Sequence, residues 1–213
     1  MDGTIVDTEP YWMDAEQALV TSWGGTWTHE QALELVGQGL WHSARILRAA
    51  GVGLDEDTIV ETLTATVVER VRVSVPWRPG AIELLTELRE LGIPTALVTM
   101  SLRSMAEVVV ESMGFDAFDA IVSGDDVQHA KPHPEPYLRA AELLGVSITE
   151  CVALEDSPTG LASAIESGAV SIGIPLMVAI PEHTTHTVWP SLAGRTAADV
   201  AALYASRTSG QTS

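Results

Sequence analysis

The chain has 213 residues, 46% of them hydrophobic, which suits one large domain or a core that carries a smaller inserted unit. Its formal net charge is −18, from 29 acidic and 11 basic residues, and this excludes nucleic acid and anionic membranes as partners, because phosphate groups bind clustered Lys and Arg. No stretch has the roughly 18 consecutive apolar residues of a membrane helix, acidic residues stand where a signal peptide is basic, and the single cysteine excludes an internal disulfide.

The first third of the chain has a helical pattern. It predicts four helices, within 8–23, 28–36, 40–50 and 54–73, separated by glycine-rich breaks. Thr28 and Gln31 have the three-residue spacing of a helix capping box. Four consecutive helices without a strand indicate a small helical bundle over residues 8–75.

Beyond residue 75, strands alternate with helices. We predict strands within 93–99, 118–126, 151–156 and 169–174, and helices within 81–92, 102–114, 133–146, 157–168 and 196–206. This alternation is typical of a parallel α/β sheet. The sequence therefore predicts an α/β core formed by 1–7 and 76–213, with the helical segment 8–75 inserted near its start.

Polar residues gather where the predicted strands end, and ligands bind at the carboxyl ends of strands in open parallel sheets. The segments MDGT, VTMS, GDD and LEDS lie there, and Lys131, the only lysine of the chain, follows the third. They supply Asp2, Thr99, Asp125 or Asp126, Glu155 and Asp156. Clustered carboxylates need a cation, for which Mg²⁺ is suited. A hydroxyl and a lysine can hold a phosphoryl group, so the combination suggests phosphoryl transfer.

Each segment alone has an ordinary structural interpretation. Asp2 and Gly3 could form a simple turn, Thr99 could be a strand-end hydroxyl, and Glu155 with Asp156 could be the acidic first turn of a helix. Their occurrence in this order at successive strand ends favours a common site.

The segments MDGTIVDTEP, ALVTMS, KPHPEPY and ALEDSPTG resemble the four motifs of the haloacid dehalogenase (HAD) superfamily. The resemblance extends to its phosphatases and β-phosphoglucomutase-like members, which carry a helical cap after the first motif. It implies a Rossmann-like parallel core with an inserted four-helix cap domain. It also implies a Mg²⁺-dependent phosphatase that acts through an aspartyl-phosphate intermediate.

The resemblance assigns a role to each motif residue. Asp2 is expected to be the general acid and base, with its backbone carbonyl on Mg²⁺. Thr99 is expected to bind the transferring phosphoryl group, and Lys131 to balance its negative charge. Asp156 is expected to be a direct Mg²⁺ ligand and Glu155 a ligand or a water-mediated one.

The family's first motif reads Asp-x-Asp-Gly-Thr, and Asp2 matches its second aspartate. The nucleophilic aspartate is therefore expected one residue before Met1, outside the given sequence, together with a central core strand. We expect this strand to lie between the strands that carry Thr99 and Glu155. A protein that starts at Met1 is therefore expected to fold poorly and to be insoluble or inert.

The substrate is expected to be a small phosphorylated metabolite held between core and cap. Candidate contacts are Gly3, Glu9, Trp12, Arg45, Met100 and Ser101, with Gly37, Gly39, Trp41 and His42 as further cap positions. Mutases of the family carry a cap histidine where Trp12 stands, and phosphonatases a cap lysine that this chain lacks. Phosphatase activity is therefore favoured, with a phosphosugar mutase and an inactive HAD-like binding protein as alternatives. We expect a cytoplasmic protein, monomeric or weakly dimeric.

Overall fold

A computed structural model describes residues 1–209. Its helices are α1 (Glu9–Ser22), α2 (His29–Leu33), α3 (Leu40–Ala49), α4 (Glu56–Val73), α5 (Ala81–Glu90), α6 (Arg103–Glu111), α7 (Glu135–Leu144), α8 (Pro158–Ser167) and α9 (Ala197–Thr208). Its strands are β1 (Ala96–Val98), β2 (Ala120–Val122), β3 (Val152–Glu155), β4 (Val170–Gly173) and β5 (His186–Val188). The structure thus contains every helix and strand that the sequence predicts, and adds β5.

The helices α1 to α4 form a bundle because each buries one apolar face. Leu47 of α3 and Ile59 and Val67 of α4 are fully buried in it. The predicted capping box is present at α2: the Thr28 hydroxyl accepts from the Gln31 backbone N–H, and the Gln31 side chain accepts from the Thr28 backbone N–H. The bundle matches the predicted insert, and its division from the core at residues 8 and 75 stays a prediction.

The chain enters and leaves the bundle through two paired segments. The Asp7 backbone N–H donates to the Pro76 carbonyl at 2.8 Å, and the Arg78 N–H donates to the Ile5 carbonyl at 2.8 Å. Val6 and Trp77 form an antiparallel bridge between these bonds. This pairing holds the start of α1 next to the residues around Asp2.

The strands are parallel, as the alternation of helices and strands predicts. β1 pairs with β2, and β4 lies between β3 and β5. The sequence does not predict β5, because only one of its three residues, Val188, is apolar, whereas the equally short β1 and β2 are apolar throughout. In the described part of the chain these strands form two sheets rather than the single predicted one.

An apolar cavity of about 350 Å³ separates β1 from β3. Met1, Ile5, Leu97, Val98 and Leu154 are among the residues that line it. The cavity lies where the resemblance to the HAD superfamily expects the central strand. Both sheets still direct their carboxyl ends, at Thr99 and Glu155, to the same region. Within residues 1–209 no helix has the length and apolar character to cross a membrane.

Candidate active site

One cavity lies between the strand ends of the core and the helical bundle. Its lining includes Asp2, Thr99, Lys131, Glu155 and Asp156 from the core. The bundle contributes Glu9, Trp12, Met13 and Glu16 from α1, and Gly37 and Gln38 from the turn after α2. The structure thus brings the four sequence motifs together, as predicted, and covers them with the bundle.

The Asp2 carboxylate is held by four donors from three parts of the chain. One oxygen accepts from the Thr8 hydroxyl at 2.5 Å and from the Trp12 indole N–H at 3.5 Å. The other accepts from the Ser101 hydroxyl at 2.7 Å and from the Thr99 hydroxyl at 3.4 Å. The Asp2 carboxylate is therefore held in a fixed orientation at the junction of core and bundle, where it could transfer a proton to a bound substrate.

Lys131 is paired with Glu155 at the base of the cavity. Its ammonium lies 2.5 Å from Glu155 Oε1 and donates to the Val98 carbonyl at 3.2 Å. The Tyr137 hydroxyl donates to the same Glu155 oxygen. Burial is the largest single influence and opposes the ionisation of Glu155, but the Lys131 ammonium, the Met1 α-amino group and the hydrogen bonds from Lys131 and Tyr137 together lower the pKa of the carboxyl. Glu155 is thus an ionised group whose charge is balanced by the only lysine.

Asp156 has no such balance. It accepts a hydrogen bond from the Thr4 hydroxyl at 3.1 Å, and the described residues form no salt bridge with it. Burial, and then the negative charge of Glu155, raise its pKa to about 6. Gly3 makes room for it: a Cβ at Gly3 would lie 2.0 Å from Asp156 Oδ2, and the φ of Gly3 is +68°. An acidic oxygen pair that faces a cavity and has no salt-bridge partner among the described residues fits a divalent metal ligand.

How well a divalent cation fits this cavity depends on which carboxylate oxygens are available to bind it. Asp2 and Asp156 offer carboxylate oxygens to the same cavity, whereas Glu155 Oε1 is already bonded to Lys131 and Tyr137. A Cβ at Gly160 would lie 2.0 Å from Glu155 Oε2, so helix α8 packs closely against that oxygen. The residues fit a divalent cation bound by Asp156 and the Asp2 region, with Glu155 in support.

The family model described as haloacid dehalogenase-like hydrolase matches residues 1–168. This chain belongs to the haloacid dehalogenase-like hydrolase family. Hexitol phosphatase B from Escherichia coli is 32% identical over 183 residues, which are 82% of this chain and 81% of that protein. A fructose-1-phosphate phosphatase from Escherichia coli is 30% identical over 179 residues, covering 83% of this chain and 94% of that protein. The chain is therefore a hydrolase of this family.

The fold agrees with that membership. The crystal structure of CbbY from Rhodobacter sphaeroides in complex with phosphate matches with a TM-score of 0.85 and 28% identity. The match covers 94% of this chain and 96% of that chain. The HAD-like α/β core with an inserted helical cap, predicted from the four motifs, is confirmed.

The cap of this HAD hydrolase adds two buried acids to the cavity. The pKa of Glu9 is raised to about 8 by burial and by the negative charges of Asp2 and Asp156. The pKa of Glu16 is raised to about 7 by burial, although the Trp27 indole N–H donates to it at 3.4 Å. Glu9 is among the predicted substrate contacts, whereas Glu16 is not.

Some predicted substrate contacts lie outside the cavity lining. Arg45 has a side chain that is 57% exposed and lies 3.9 Å from Glu56. Gly3 packs beneath Asp156 and directs its carbonyl to Arg78. Asp126 accepts from Arg103 and Ser123 instead of facing the site. The other predicted positions that the cavity lining lacks are Gly39, Trp41, His42 and Asp125.

Sequence reasoning missed two core residues that hold the motifs in position. The Arg78 guanidinium donates to the carbonyls of Gly3, Ile174 and Pro175, which ties the Asp2 turn to the end of β4. Tyr137 is buried and donates to Glu155. The only signal in the sequence is the Arg in VPWRPG and the Tyr in KPHPEPY, and neither pattern shows what these side chains contact.

Proposed function

We propose that this HAD hydrolase cleaves small sugar or polyol phosphomonoesters, with Mg²⁺ and through an aspartyl-phosphate intermediate. The observation that carries the proposal is the group of Asp2, Thr99, Ser101, Lys131 and Asp156 at one end of a capped cavity. The activities after which the two phosphatase relatives from Escherichia coli are named support the substrate class.

In the proposed reaction, a nucleophilic carboxylate attacks phosphorus and the ester P–O bond breaks. Asp2 gives its proton to the leaving oxygen, which departs as an alcohol. Asp2, now ionised, takes a proton from a water molecule whose oxygen attacks the aspartyl-phosphate. Inorganic phosphate leaves and the nucleophilic carboxylate is regenerated. The Thr99 hydroxyl and the Lys131 ammonium bind the phosphoryl oxygens during both steps.

We assign the nucleophile to an aspartate directly before Met1. The α-amino group of Met1 is buried, and its electrostatic neighbours are Asp2, Lys131, Glu155 and Asp156. A residue joined to this nitrogen would start within the motif cluster. This position supports the assignment, which the family pattern Asp-x-Asp-Gly-Thr also implies.

Mg²⁺ would be held by Asp156 and the Asp2 backbone carbonyl, with Glu155 in support. When bound, it supplies positive charge that stabilises the phosphoryl group during transfer. Among residues 1–209, Lys131 is the one side-chain cation that lines this cavity, and Glu155 already neutralises it. The remaining acids of the site carry no compensating side-chain charge in the described residues.

A mutase reaction would need a group in the cap that exchanges protons with the substrate. Trp12 occupies that position, and its indole N–H points at Asp2. An indole is a donor only and cannot act as an acid and base. We therefore propose hydrolysis in preference to mutase activity.

The test compares two proteins: the 213-residue chain, and the same chain with the codons immediately upstream in the same frame. Phosphate release from sorbitol 6-phosphate and fructose 1-phosphate is measured with Mg²⁺ and with excess chelator. We expect metal-dependent turnover in the longer protein and none in the shorter one.

Two controls make the outcome specific. Asp2→Asn in the longer protein should abolish turnover, and fluoroberyllate, a mimic of the aspartyl-phosphate, should bind only where the added aspartate is present. Equal activity of both lengths would show that the nucleophile lies elsewhere. Binding of phosphate esters without turnover in either length would favour the inactive binding protein.

A further inference from the structure

The cap end of the cavity contains a buried acid whose charge is not compensated. Glu16 lies on α1, is 6% exposed and lines the same cavity as Asp2. The Trp27 indole, at 3.4 Å, is the one side-chain donor that residues 1–209 provide for it. Its raised pKa has burial as the main cause. A buried carboxylate without a cation lowers the stability of the folded protein, so a purely structural role does not explain Glu16.

The position of Glu16 along α1 sets its distance from the reacting end. Trp12 touches the Asp2 carboxylate, and Glu16 follows it by four residues, one helical turn or ~6 Å along the axis. Glu9 and Glu16 are seven residues apart, two turns or ~10 Å, and share one face of the helix. Measured along the helix axis, Glu16 is therefore on the order of 6 Å from Trp12, which contacts Asp2, and on the order of 10 Å from Glu9.

The surroundings of Glu16 make it a selective contact. Ala32, Leu35 and Leu63 line the cavity with apolar surface. Gln38 and Ser43 also line the cavity, so a ligand there meets apolar side chains together with a small set of polar groups besides Glu16. A hydroxyl there can donate to the ionised Glu16 carboxylate, and above about pH 8, where Glu9 and Glu16 are both ionised, a ligand carboxylate would be repelled by both.

We propose that Glu16, positioned by Trp27, forms a subsite that binds a hydroxyl group of the substrate at the end remote from the phosphate. The ligand class is a phosphorylated polyol or open-chain sugar. This inference rests on the proposed phosphatase function and makes it more specific. Glu16 is assigned to specificity, and bond cleavage is left to the residues around Asp2.

The experiment separates chain length from hydroxyl recognition. Sorbitol 6-phosphate and n-hexyl phosphate have six carbons each, and only the first carries hydroxyls along the chain. Binding with Mg²⁺ is measured by calorimetry for the 213-residue protein, and kcat/KM for the form with upstream residues. The variants are Glu16→Gln and Glu16→Leu, with Glu61→Gln on the exposed face of α4 as the control.

We expect Glu16→Leu to weaken sorbitol 6-phosphate roughly 10- to 100-fold, because a hydrogen bond to a charged group is lost. Hexyl phosphate should change by less than about threefold, and Glu16→Gln should recover part of the sorbitol 6-phosphate binding, because an amide oxygen still accepts a hydrogen bond. The Glu61→Gln variant should match the parent protein for both ligands.

Several outcomes would overturn the proposal. Equal losses for both phosphates in Glu16→Leu would indicate a structural role. Binding of 6-phosphogluconate at about pH 9, where Glu9 and Glu16 are ionised, as tightly as sorbitol 6-phosphate would show that Glu16 does not face the ligand. Preferred binding of glucosamine 6-phosphate over sorbitol 6-phosphate would assign the subsite to an amine. If the form with upstream residues, without a substitution, bound and cleaved neither phosphate, the phosphatase function would fail together with the subsite. If it cleaved both and Glu16→Leu changed neither, the subsite alone would fail.

Discussion

The replacement of Glu16 by glutamine should stabilise the protein at neutral pH. The pKa of Glu16 is about 7 in the folded chain, against 4.5 for an unperturbed glutamate. Because the folded state binds the proton more tightly, its contribution to stability is complete below pH 4.5 and is lost as the pH rises through 7. The difference between 4.5 and about 7 corresponds to roughly 3 kcal/mol. Glutamine avoids this loss and keeps an acceptor for Trp27.

The assay is urea unfolding of the ligand-free protein at pH 5, 6, 7 and 8, followed by circular dichroism. We expect Glu16→Gln to exceed the parent protein in free energy of unfolding by up to roughly 3 kcal/mol at pH 8, and the difference to shrink towards pH 5. Glu61→Gln, at an exposed position of α4, should show no such trend. A destabilised Glu16→Gln variant at pH 8, or a difference that does not vary with pH, would refute the reasoning.

Four further outcomes test the core of the site. Asp156→Asn should reduce Mg²⁺ affinity, measured by calorimetry, at least tenfold, and unchanged affinity in this variant would exclude Asp156 as a ligand. In the parent protein the Mg²⁺ affinity should decline below about pH 6, because a protonated Asp156 cannot bind the metal. Gly3→Ala should lower the melting temperature and Mg²⁺ affinity together, since its Cβ would collide with Asp156. Tyr137→Phe should cost roughly 1–3 kcal/mol in urea unfolding by removing a buried donor to Glu155, and no change would show that Lys131 alone satisfies this carboxylate. Lys131→Met should cost more than Tyr137→Phe, because Glu155 would keep a buried charge without its partner.

The sequence predicts much of the architecture because the relevant signals are local. Hydrophobic periodicity and glycine breaks give the helices, and the capping box at Thr28 marks the start of α2. The four motifs lie at strand ends, so the topology of a parallel sheet is sufficient to bring Asp2, Thr99 and Asp156 together. No knowledge of side-chain packing is needed for that step.

The features that the sequence misses depend on partners far along the chain. Arg78 bonds to carbonyls near residues 3 and 174, and Tyr137 reaches Glu155, 18 residues away. Glu16 has the pattern of a solvated helix residue and is buried only because α1 faces the cavity. Arg45 fails for the converse reason: it stands near the predicted cap turn but pairs with Glu56 on α4. Burial and contacts between distant residues determine where these side chains lie, and the hydrophobic periodicity of the sequence indicates neither.

The charge distribution of the cavity connects the composition of the chain to its chemistry. Acidic residues line both ends of the cavity: Asp2 and Asp156 at the core, and Glu9 and Glu16 at the cap. Lys131 forms a salt bridge with Glu155. A phosphate dianion entering such a cavity meets net repulsion unless a cation accompanies it. A divalent cation held by Asp156 would therefore help to admit the substrate as well as supply charge for the proposed reaction. The acids of the cap then favour a neutral, hydroxyl-bearing remainder, so one cavity selects a charged end and an uncharged end of the same molecule.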